Sequence, residues 1–123
     1  MNPVSYRLFD TRSAGFYTDG VAASSTNVYY SKVMKPSPEG LLGFTLESTG
    51  TLTGAFVLQV SDEMRPDETT DTDWDTVTWT ATDPAGSATK KKYELAGKRG
   101  RFYRIKYTNA SGTGLIKGYG LSA

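Results

Sequence analysis

Seven carboxylates fall between positions 62 and 75: Asp62, Glu63, Asp67, Glu68, Asp71, Asp73 and Asp75. Such a run has two chemical uses. A pair of carboxylates at fixed separation can hydrolyse a glycosidic bond, and a close set of hard oxygens can hold Ca²⁺. Asp71-Thr72-Asp73-Trp74-Asp75 opens like an EF-hand loop, but Thr76 and Thr82 stand where that loop needs its glycine and its last glutamate. Hydrolysis needs both carboxylates on rigid elements, and this run lies in a loop between strands. The expectation is a solvated acidic loop that resists edge-to-edge aggregation, with no metal site.

The rest of the chain removes most other chemistry. It has no His and no Cys. Ser-His-Asp and Cys-His nucleophilic systems, thiolate metal sites and disulfide staples are therefore excluded. Gly112-Thr113-Gly114 lies between strands and opens no helix, so it is not a phosphate loop. No catalytic residue and no cofactor is expected.

Charge is segregated although it nearly cancels, at +1 overall. Lys90, Lys91, Lys92, Lys98, Arg99, Arg101, Arg104 and Lys106 carry eight of the fourteen positive charges, against seven of thirteen acids in the 62–75 loop. The aromatics between these cations follow strand period and are expected in the core, which argues against a nucleic-acid face. A polar surface that meets an acidic partner or a second copy is one reading, and ordinary solvated strand faces are the other. Trp79 shares the inward phase of Val77. Trp74 reads as a plug over the body, with a sugar-stacking platform as the alternative, alongside Tyr103 and Asp62.

The elements that position these residues are strands. Leu42, Phe44 and Leu46 alternate with polar or small residues, and Ala55–Val60 is apolar on both faces, as a central strand would be. Further strands are expected at Val77 and Trp79, at Lys91 to Leu95, at Arg101 to Tyr107 and at Leu115 to Leu121. On the fifth of these six, Tyr103, Ile105 and Tyr107 oppose Phe102, Arg104 and Lys106. Residues 27–34 suit one more strand, stopped by Pro36 and Pro38. The fold class expected is all-β, a jelly-roll-like antiparallel sandwich over residues 26–123. Residues 1–25 are irregular and read as an extended arm whose Tyr6, Arg7, Phe9, Phe16 and Tyr17 dock on a partner. Lys91, Lys98, Arg99 and Arg101 would extend that contact. No apolar run reaches bilayer length, and Met1 to Tyr6 lacks a leader's basic and apolar regions, so synthesis in a cytoplasm is expected.

Val57-Leu58-Gln59-Val60-Ser61-Asp62, an acidic loop and then Trp74-Asp75-Thr76-Val77 resemble a discoidin-like or carbohydrate-module-like sandwich. Gly100 to Asn109 and Ser111 to Gly114 match its penultimate strand and last hairpin. Small sandwiches of this kind look like the jelly-roll cement or decoration proteins of tailed bacteriophage capsids, a likeness that covers roughly residues 42–121. It implies a virion protein on the outer capsid surface, at junctions between copies of the major capsid protein, stabilising the shell. It also implies a homo-oligomer, dimer or trimer, with no nucleic-acid or membrane partner. The alternative is a carbohydrate-binding adhesion module of a tail or baseplate.

Overall fold

The computed structural model describes residues 4–7, 10–13, 16–19, 21–24, 26–36, 42–83, 89–95 and 100–122, with backbone alone at 4–7, 10–13, 16–19, 42, 78–83, 89–95, 121 and 122. Among them are eleven strands and no helix. The first four are short: β1 (Val4–Arg7), β2 (Asp10–Ser13), β3 (Phe16–Asp19) and β4 (Val21–Ser24). β5 (Val28–Tyr30), β6 (Leu42–Ser48), β7 (Thr53–Ser61) and β8 (Asp75–Asp83) follow, then β9 (Thr89–Leu95), β10 (Phe102–Ser111) and β11 (Thr113–Ser122). The last six coincide with the six strands expected from alternation.

The strands form a β-sandwich of two antiparallel sheets. One has the order β1-β11-β6-β9, with β4 also on β11, and the other β5-β10-β7-β8. β7 lies between β10 and β8, the central place its two apolar faces call for. The core draws Ala23, Phe44, Leu46 and Ile116 from the first sheet and Phe56, Leu58, Tyr103, Ile105 and Tyr107 from the second. The Phe56 and Tyr107 rings pack 4.7 Å apart in a tilted pair. Ser48, on the inward phase of β6, is polar. The Ser48 hydroxyl is buried with no hydrogen-bond partner among the described residues. Replacing it by alanine removes that desolvated group, and Ser48→Ala is expected to raise unfolding free energy by about 1 kcal/mol in urea titration.

Two expectations are revised. Residues 1–25 do not read as an arm throughout, because β1 pairs with Arg7 opposite Tyr119 and β4 pairs with Val21 opposite Ile116. Both lie on the same edge of β11, end to end, and the β2–β3 hairpin is inserted between them. Pairing uses backbone groups that every residue carries, so an irregular side-chain pattern hid it. The 27–34 strand is also shorter than expected. Its regular ladder ends at Tyr30 because the Ser31 hydroxyl accepts the Ile105 N–H at 2.8 Å. The chain rejoins β10 at Met34, which exchanges two backbone hydrogen bonds with Tyr103.

The sheets are linked at a tight corner. Gly112 alone separates β10 from β11, at φ +84°. The β6–β7 connection lies against it, with the Thr51 N–H donating to Thr113 O at 2.9 Å and the Thr113 N–H to Thr51 Oγ1 at 3.1 Å. Thr49 repeats the arrangement on Leu115.

Candidate functional site

Arg104 occupies the phase of β10 opposite Tyr103, Ile105 and Tyr107, which places it on the outer face of the second sheet. Outward cations are ordinarily solvated, yet Arg104 is 0% exposed. The 62–74 loop folds back over this face and covers it. The guanidinium lies between two rings, 4.0 Å from the centroid of Tyr30 and 4.2 Å from that of Trp74. Its donors reach Gln59 Oε1 at 2.7 Å, the Glu68 carbonyl at 3.1 Å and the Thr70 carbonyl at 2.6 Å. Asp71 Oδ1 stands 3.4 Å away. Gln59 is the direct cross-strand partner of Arg104, and Tyr30 that of Lys106, so β7 and β5 set this geometry. Arginine suits the place because its planar fork meets several acceptors while its faces stack on aromatics.

Asp71 ties the loop down from the other side. Its carboxylate accepts from the Tyr30 hydroxyl at 3.0 Å, from Gln59 Nε2 at 3.0 Å and from Lys106 Nζ at 2.5 Å. The Lys106 contact, then the Gln59 one, hold its pKa down at about 2. Burial raises the Tyr30 pKa, and the Asp71 carboxylate raises it further. Burial also lowers that of Arg104, against the pull of Tyr30 and the nearby acids. Because the carboxyl of Asp71 is held below its ordinary value of 3.8, its contribution to stability is complete above that value. It is lost as pH falls through about 2. Trp74 fluorescence is expected to report loop loosening between about pH 4 and pH 2, and Asp71→Asn to abolish that transition.

The loop is also organised from within. The Asp67 carboxylate accepts from the Thr69 N–H at 2.8 Å, the Thr69 hydroxyl at 2.7 Å and the Thr70 hydroxyl at 3.0 Å, which lowers its pKa. Asp73 Oδ2 accepts the Asp67 N–H at 2.8 Å, and the Trp74 indole N–H donates to the Asp67 carbonyl at 2.7 Å. Among the described residues no three acidic side chains converge where a cation could sit. The carboxylates of Asp62, Asp67, Asp71 and Asp73 serve as acceptors within the structure, while every acid of the loop except Asp73 stays exposed, in keeping with the solvated loop expected.

The residues singled out from sequence fall in different places. Trp74 is 6% exposed and Tyr103 is 0% exposed, so neither offers a ring face to a sugar. This corrects the proposed glycan platform: Trp74 is the lid on Arg104 and Tyr103 is core. Asp62 is exposed, but its Oδ1 accepts the Arg101 N–H at 3.1 Å, and Arg101 Nε donates to the Asp62 carbonyl at 3.2 Å. That pair pins the approach to β10 against the end of β7. Tyr6, Arg7, Phe16, Tyr17 and Lys91 lie on β1, β3 and β9 with backbone alone described, as does Trp79 on β8. Phe9, Lys98 and Arg99 lie outside the described residues. Arg104 was counted with the surface cations and is instead the centre of the arrangement. Gln59, polar within the apolar run of β7 and 2% exposed, was the available signal. No family model matches this chain, and no curated protein matches it.

Proposed function

We propose that this is a non-enzymatic structural protein of a virus particle, a jelly-roll-type cement protein. It binds the outer surface of a tailed-phage capsid at junctions between major capsid protein subunits and stabilises the shell. The observation that carries this reading is the use made of Arg104. A fully buried guanidinium, three protein acceptors at hydrogen-bond distance and two aromatic rings hold one surface loop in a single shape. A protein whose task is to present a fixed contact surface needs that rigidity, since a pre-ordered loop loses little entropy on docking. The likeness of residues 42–121 to capsid cement sandwiches supports the same reading. Repetition on a symmetric shell would turn modest contacts into firm attachment.

The test is co-sedimentation of the full chain with tailed-phage capsids stripped of decoration, followed by heating the shells. Saturable binding that raises the temperature of DNA release is the expected result. Absence of binding to shells of any tested type would reject the cement role.

A further inference from the structure

Among the described residues, the outer face of the first sheet leaves large apolar side chains exposed and has a definite character. Ile116, Gly118 and Gly120 are buried, which turns Leu115, Lys117 and Tyr119 outward along β11. Leu115 is 40% and Tyr119 41% exposed, and with Val28 and Met64 they are the large apolar side chains left open among the described residues. Lys117 lies between them, 3.9 Å from Glu47. Arg7 occupies the register position beside Tyr119, Lys90 that beside Glu47 and Lys92 that beside Thr45. Glu94 stands opposite Gly43. Basic positions therefore outnumber acidic ones around an apolar centre. Two such faces brought together would set like charge against like, which argues against a two-fold contact through this surface.

The 62–68 segment has the opposite character. Met64 is 73% exposed, the most open of the large apolar side chains, and it stands among exposed Asp62, Glu63, Asp67 and Glu68. This loop covers the outer face of the second sheet, which points away from the outer face of the first, so it cannot reach that face on its own chain.

We propose that the Leu115–Lys117–Tyr119 face docks the 62–68 loop of a second copy, head to tail. Met64 enters between Leu115 and Tyr119, and the loop acids meet the basic surround. The contact is heterologous, so it closes into a ring or continues as a row, according to the rotation between copies. It requires no capsid and stands apart from the cement role.

Sedimentation velocity on the full chain tests it over a range of concentrations at low and high salt. Concentration-dependent association that weakens with salt is expected. Lys117→Glu and Glu63→Lys should each raise the apparent Kd by about tenfold or more, because each sets like charges together. An equimolar mixture of the two variants should associate again, since every junction then pairs opposite charges. That rescue also shows that both variants are folded. Tyr119→Asp should weaken association without rescue by either charge variant. A chain that stays monomeric throughout overturns the proposal. So does association indifferent to these substitutions, or failure of the mixed variants to recover.

Discussion

Arg104→Leu is expected to lower unfolding free energy by about 3–5 kcal/mol, the usual cost of removing one partner from a buried charged cluster. The loss has identifiable parts. The Glu68 and Thr70 carbonyls and the Gln59 side chain would each lose a charged donor, and hydrogen bonds to charged groups contribute about 1.5–3 kcal/mol apiece. Stacking between the Tyr30 and Trp74 rings, worth about 2 kcal/mol when desolvated, goes as well. Leucine recovers part of this by burying apolar surface, so the net is smaller than the sum. Arg104→Lys should fall between, because a single ammonium cannot reach acceptors on both sides of a planar fork. Urea titration gives the magnitude. Hydrogen exchange at the Trp74 indole N–H, which donates to Asp67, gives the location. A leucine variant that keeps both its stability and that protection would show that the loop holds itself without Arg104.

The second large effect belongs to the corner between the sheets. Gly112 sits at φ +84°, and a Cβ there would stand 2.0 Å from the Thr51 carbonyl oxygen. The obstacle is backbone, held by the Thr51–Thr113 hydrogen bonds, so it cannot swing aside as a side chain could. Gly112→Ala is expected to cost about 3 kcal/mol or more, combining left-handed strain with overpacking. Thr51→Ala serves as the comparison. It removes the hydroxyl that accepts the Thr113 N–H but leaves the backbone path intact, and should cost about 1 kcal/mol. Thermal unfolding of the two side by side separates the strain from the lost hydrogen bond. Equal, small losses would mean the corner relaxes more easily than its geometry implies.

Much of the body was legible because side-chain period survives in it. Phe44 and Leu46, Phe56 and Leu58, and Tyr103, Ile105 and Tyr107 all keep the alternation of half-buried strands, and all are buried. The N-terminal pairing was not legible, since β1 and β4 are four residues each and are held by backbone groups that carry no sequence signature. Arg104 was hidden for a different reason. Period says which face a residue takes, not whether a distant loop, such as the one holding Glu68 36 residues away, returns to cover that face. An arginine flanked by Tyr103 and Ile105 looks solvated until Glu68, Thr70 and Trp74 are placed over it. Trp74 does plug the body as its sequence suggested, but the cation it covers was taken to be in water.

The position of β11 has a kinetic consequence. It is bonded to β1 and β4 on one edge and to β6 on the other, so three strands from the first 48 residues meet on a strand that starts at Thr113. In the first sheet β6 can pair with β9 early, but β1 and β4 have no ladder partner until the chain has been made nearly to Ser122. Until then the inward faces of β4 and β6, with Ala23, Phe44 and Leu46, lack Ile116 of the strand that joins them. Contacts this distant along the chain place folding on the slow side for a domain of this size. A ribosome stalled short of Gly112 would hold a chain whose second sheet and β6–β9 pair can assemble while β1 and β4 stay unpaired. In a cell, that incomplete sandwich is the species on which chaperones and proteases would act.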